Sequence, residues 1–152
     1  MVKTTVRILM ILAGSLTLSG CGGPSLINKS ACDTLVYKEF GFTREEYLPC
    51  AGEILALMDE LKPLAVEAIK EGDRESRKTA RRAYRKLRKL VKKAGGKKMM
   101  EEWRDHRLND LSMAIWEAYT HYWSVTRSPN DVDFQDAERR HDEARRLYDS
   151  LV

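Results

Sequence analysis

Residues 43–72, TREEYLPCAGEILALMDELKPLAVEAIKEG, decide the fold. Thr43 followed three residues later by Glu46 is a capping box, in which hydroxyl and carboxylate each satisfy a backbone amide where a helix begins. From there Tyr47, Ala51, Ile54, Met58, Leu61, Ala65 and Ala68 recur at spacings of four and three, and Leu57 and Leu64 widen the stripe. That period puts the apolar side chains on one helical face, over about 44–71, ending near Gly72. Pro63 removes an amide from the ladder and predicts a kink or a split near Leu61.

Three further segments repeat the pattern. A second helix is predicted over 73–94, with Ala80, Tyr84, Leu87, Val91 and Ala94 as its seam and Gly95-Gly96 as its stop. A third is predicted over 98–126, carrying Met100, Trp103, Leu108, Leu111, Ile115, Ala118 and Tyr122. The run Ser128-Pro129-Asn130-Asp131 supplies an N-cap, a proline at the first helical position and an acidic first turn. It opens a fourth helix over 129–151, with Phe134, Ala137, His141, Ala144, Tyr148 and Leu151 at spacings of three and four. No strand-like alternation competes with these stripes. Short connections favour antiparallel neighbours, so residues 31–152 read as one all-α domain: an antiparallel up-down four-helix bundle with a short N-terminal extension. The extension carries Leu35, Val36, Tyr37, Phe40 and Phe42.

The first 23 residues, MVKTTVRILMILAGSLTLSGCGG, differ in kind. Lys3 and Arg7 precede an apolar run from Ile8 to Leu18, which at about 11 residues is short for a membrane span but suits a signal peptide. Leu18-Ser19-Gly20-Cys21 resembles the lipobox of bacterial lipoprotein precursors. The resemblance implies a signal peptide over 1–20, cleavage before Cys21 and transfer of a diacylglycerol, with palmitate-type acyl chains, to its thiol. Residues 21–30, with Gly, Pro, Ser and Asn and no periodicity, then form a tether. Acyl chains contribute about 0.8 kcal/mol per buried methylene, so two or three hold a protein without a transmembrane helix. The implied location is the extracytoplasmic side of the cell membrane or outer membrane; Gly22 is not the aspartate that retains many lipoproteins in the inner one. Outside the cytoplasm Cys32 and Cys50, an even pair once Cys21 is set aside, are expected to form a disulfide.

Charge is strongly polarised. The formal charge of +4 becomes +2 once residues 1–20, with Lys3, Arg7 and no acid, are removed. Between positions 74 and 98 thirteen lysines and arginines face one acid, Glu75, for a local charge of +12, so the rest of the mature chain sums to −10. Arg77, Arg81, Arg85, Arg88 and Lys92 are the candidate binding residues of this helix. One expectation is a solvated face complemented by acids of the first and fourth helices. The other is a binding surface for anionic lipid, an acidic wall polymer or an envelope protein. Nucleic acid is not expected, because no aromatic platforms are interleaved with the bases.

Helix three is apolar on more than one side: Trp116 and Trp123 are seven residues apart and share a face. Exposed, they form a partner site; if the helix is central, they pack against Phe40, Phe42 and the extension. His141 lies on the seam of helix four at the depth of Met58, and the pair resembles the axial ligands of four-helix cytochromes, although no CxxCH attachment motif is present. The simpler expectation is a core histidine satisfied by a nearby acid, with no haem. Glu138-x-x-His141 also matches one half of a di-iron motif, with Glu117 and His121 as partners; such sites need two units, so no metal is expected. No nucleophile elbow, phosphate loop or metalloprotease motif is present, which argues against an enzyme.

A second resemblance covers about 60 residues. Cys50-Ala51, Leu55-Ala56, Asp59 and Leu61, with Trp103 and Arg107 later, is similar to the helical secreted domain of some bacterial lysozyme-inhibitor lipoproteins. Leu108 replaces that family's acid and its final cysteine is absent. The resemblance implies an inhibitor of a cell-wall hydrolase, as an alternative to a lipid-anchored, non-enzymatic binding module with no cofactor.

Overall fold

A computed structural model describes residues 29–95 and 103–152. The expected cleavage site, Cys21 and most of the tether lie outside these residues. A short 3-10 turn, η1 (Ala31–Thr34), precedes four helices: α1 (Arg44–Glu71), α2 (Arg74–Lys93), α3 (His106–Arg127) and α4 (Asp131–Asp149). Among the described residues no helix is long and apolar enough to cross a membrane.

The helix starts follow local chemistry. Thr43 and Glu46 make the capping box in both directions, and Asp73 caps α2 by accepting from the amides of Glu75 and Ser76. Gly72 closes α1 in the left-handed conformation (φ 60°), its amide donating to the Ala68 carbonyl at 3.1 Å; a residue with a Cβ resists that backbone. Pro63 does not split α1, which runs unbroken for 28 residues with Pro49 and Pro63 inside it. Buried residues on both sides of Pro63, Leu61 and Ala65, hold the helix against the core, and tertiary packing outweighs one missing hydrogen bond.

Two starts differ from expectation. Helix three begins at His106 rather than 98; positions 98–102 lie outside the described residues. Trp103 to Asp105 are not helical, because Asp105 caps α3 by accepting from Arg107 and Leu108 while Trp103 turns into the core. Helix four begins at Asp131, not at Pro129. Asn130 rather than Ser128 is its cap, accepting from the Asp133 amide at 2.8 Å while its own amide donates to the Ser128 carbonyl.

Cross-helix partners set the directions. Lys62 meets Glu138 and Asp59 meets Arg145, so α1 and α4 run antiparallel. Ser124 with Asp133, Glu117 with Arg140 and Arg107 with Ser150 do the same for α3 and α4. Arg81 with Thr126 and Arg88 with Trp123 orient α2 against α3. Arg44 with Asp105 brings together the starts of α1 and α3, which are therefore parallel. The result is the up-down four-helix bundle. The helices α1 and α3 touch across its centre, whereas α2 and α4 lie on opposite flanks without contact.

The N-terminal extension is fixed at one end of the bundle. Cys32 and Cys50 are joined by a disulfide. Glu53 accepts from the Ser30 hydroxyl at 2.7 Å and the Ala31 amide at 2.9 Å, so the packed chain starts at Ser30. Phe42, Tyr47 and Trp103 form a buried aromatic cluster with ring centroids 5.3–5.8 Å apart. Gly41 crosses directly over Trp103: its φ is 85°, and a Cβ there would sit 2.6 Å from the indole Cγ.

Candidate functional site

The apolar seam of α2, buried Ala80, Tyr84, Leu87, Leu90 and Val91, turns the opposite side of the helix outward. Arg74, Lys78, Arg82, Arg85, Lys89 and Lys92, spaced four, four, three, four and three apart, share the exposed face opposite that seam. At 1.5 Å per residue the row is about 27 Å long. Lys78 lies 3.8 Å from Glu75 of the same helix. The other five have no hydrogen bond or ion pair among the described residues.

The expectation that acids of helices one and four complement this face is therefore corrected. No acid of either helix forms an ion pair with the row among the described residues; Glu138 pairs with Lys62 at 2.5 Å, Glu143 with Arg140 at 2.6 Å, and Asp59 with Arg145. For α4 the cause is topological, since it lies across the bundle from α2, whereas α1 packs directly on α2. Among the described residues the one acid of another element that forms an ion pair with α2 is Asp33 of η1, which pairs with Lys93; Glu53 and Glu60 of α1 lie beside Lys86 without pairing to it. The Lys93 ammonium holds the Asp33 carboxyl below its ordinary range.

The five expected binding bases fall into two groups. Arg85 and Lys92 belong to the outward row. Arg77, Arg81 and Arg88 lie on the α3 side: Arg77 donates to the Asp73 carbonyl, Arg81 donates to the Thr126 carbonyl at 3.3 Å, and Arg88 sits 5.5 Å above the Trp123 ring. Arg74, Lys78, Arg82 and Lys89 complete the row. The signal for them is the four-three spacing counted from the face opposite Tyr84.

Trp116 and Trp123 are partly buried and flank Tyr119, with centroid separations of 5.7 and 6.4 Å. They do not meet the extension, whose Phe42 joins Trp103 and whose Phe40 ring lies 4.6 Å from the Arg104 guanidinium. The tryptophan pair instead borders the cationic helix through Arg88.

His141 is 5% exposed between Tyr122, whose hydroxyl hydrogen-bonds Nδ1 at 3.2 Å, and Asp59, whose Oδ1 lies 3.3 Å from Nε2. The second approach is an ion-pair distance without hydrogen-bond geometry, leaving Nε2 unsatisfied. Burial pushes the His141 pKa below its ordinary 6.5; Asp59 and Asp142 pull it up, and Arg145 and Lys62 push it down. Burial likewise raises the Tyr122 phenol, which stays protonated. Glu138 and Glu117 are held by Lys62 and Arg140, and His121 lies 3.4 Å from Asp133. Among the described residues no three His, Cys, Asp or Glu side chains are grouped to hold a metal.

A histidine whose folded pKa is depressed takes its proton more readily in the unfolded chain. Its contribution to stability is present above about pH 6.5 and is lost as pH falls toward the folded value. Thermal melting at about pH 7 and about pH 5 checks this: the midpoint falls on acidification, and His141→Gln shrinks the difference. An unchanged difference in that variant contradicts the assignment.

The cationic face of α2 is thus an extended surface whose charges the bundle largely leaves without ion pairs among the described residues. Compared with known proteins, the chain matches no family model, no curated protein and no solved structure.

Proposed function

We propose that the protein is a non-enzymatic module, lipid-anchored at Cys21 on the extracytoplasmic side of a cell envelope, that binds an anionic partner through the outer face of α2. The observation that carries this reading is the row from Arg74 to Lys92, five of whose six bases have no ion pair among the described residues. Six like charges along about 27 Å repel one another, and a helix that needed them only for solubility gains nothing from setting them in one file. An anionic surface converts that repulsion into attraction, worth about 1 kcal/mol per base near a membrane. The anchor rests on the lipobox resemblance. The Cys32–Cys50 disulfide agrees with an oxidising compartment.

Binding of a fluorescent polyphosphate to the full chain tests the surface. The triple variant Arg82→Glu, Arg85→Glu, Lys89→Glu is expected to bind at least about tenfold more weakly, because each exchange replaces an attraction with a repulsion. All three side chains are exposed, so melting should barely change. Equal affinity in the variant removes α2 as the binding surface.

A further inference from the structure

Two observations single out one anionic partner. The outward face of α2 between Arg74 and Lys92 offers cations, the single acid Glu75 and Thr79 but no exposed large apolar side chain. A protein partner requires a desolvated apolar or aromatic anchor at the interface centre, and this face supplies none. An array of point charges on a convex helix suits a planar, fluid array of phosphates.

The second observation lies at the end of the bundle where the tether enters. Lys93, next to Lys92 at the end of the row, pairs with Asp33, three residues from Ser30 where the packed chain begins. At that same end Val36, Tyr37 and Phe40 are 71%, 44% and 49% exposed. An acidic polymer has no use for exposed aliphatic and aromatic groups, whereas a bilayer interface accepts both. Ser30 lies nine positions after Cys21, a reach of at most about 32 Å, so an anchored bundle stays beside its own membrane. The local concentration of headgroups then exceeds that of any free polymer.

Resting on the reading of the chain as an anchored module, we infer that the partner of the α2 row is the anionic phospholipid headgroup surface of the membrane that holds it. The bundle docks with the outer face of α2 along the phosphates, the Lys89–Lys92 part closest to the tether.

The test uses the full lipidated protein in vesicles of phosphatidylcholine alone or mixed with phosphatidylglycerol. Brief acetylation of amines is followed by peptide mass spectrometry. Lys89 and Lys92 are expected to react severalfold more slowly in the phosphatidylglycerol vesicles. The protection disappears at about 1 M salt, where the screening length falls to about 3 Å. Lys62, paired with Glu138 on the α1–α4 side, reacts alike in both. Equal reactivity of Lys89 and Lys92 in the two vesicle types overturns the inference. Polyphosphate added to phosphatidylcholine vesicles separates the outcomes. If it protects the two lysines while phosphatidylglycerol does not, the cationic-face reading survives and the lipid partner falls; if neither protects, both fall. Protein that fails to float with phosphatidylcholine vesicles lacks the anchor and overturns the reading beneath.

Discussion

Replacing Trp103 with alanine is expected to destabilise the bundle by about 3–5 kcal/mol, the range for removing a large aromatic side chain from a core. The side chain is 2% exposed although its backbone lies outside the helices. It meets Phe42 and Tyr47 edge to face at 5.4 and 5.3 Å, contacts that add about 0.5–1.5 kcal/mol each beyond area burial. Its removal also empties the space beneath Gly41, a residue held at φ 85° against the indole. The Arg104 amide, which donates to the Phe40 carbonyl at 3.3 Å, then has less to fix it. Urea unfolding followed by circular dichroism checks this, with a midpoint lowered by at least about 1 M. Trp123→Ala, at a partly buried site, should cost less. A Trp103→Ala midpoint within error of wild type contradicts the placement of this ring.

Loss of the Cys32–Cys50 bridge should have the second largest effect. The two residues are 18 apart, and cross-linking a loop of that length restricts the unfolded chain by about 3 kcal/mol. Both are buried, at 1% and 0% exposure, so the paired alanine variant tests the cross-link without burying new hydroxyls. The effect is local as well as global. The bridge, Glu53 and Lys93 together hold η1 on the bundle, and without the bridge the packing of Ala31 and Leu35 and exposed or half-buried polar contacts remain. Hydrogen exchange should therefore quicken first in residues 31–42, and the melting midpoint should fall in parallel. Unchanged melting after reduction contradicts a stabilising role.

Much of the bundle is legible in the sequence, because its starts and seams are written locally. The capping box at Thr43, the Asp73 cap, and the stripes from Tyr47 to Ala68 and from Ala80 to Val91 each need only their own segment. What escapes is decided between segments. Trp103 sits at a helical spacing from its neighbours, yet burial with Phe42 and Tyr47 draws it out of α3, and Asp105 takes the cap. Asn130 outbids Ser128 because its side chain serves the Asp133 amide, the Asp133 carboxylate and the Ser128 carbonyl at once. Pro63 reads as a break because its lost hydrogen bond is local, while the packing that offsets it is not.

The cationic face follows the same division. Its charge can be counted from the sequence, and its row follows from the helical period. Whether acids neutralise it depends on which two helices meet across the centre. With α1 and α3 in contact there, the acids of α4 serve Arg139, Arg140 and Lys62, far from α2. His141 was legible as a core histidine beside an acid; that the acid is Asp59 and the second partner Tyr122 follows from the pairing of α1, α3 and α4.

Everything proposed about location rests on one thiol. Metabolic labelling of bacteria expressing the full chain with an alkyne fatty acid, followed by capture and peptide mapping, measures it most directly. Label is expected on the wild-type protein at Cys21, as the first residue of the mature chain, and none on Cys21→Ala. Labelling that persists in Cys21→Ala, or a wild-type protein that takes up no fatty acid, would contradict the anchor at Cys21.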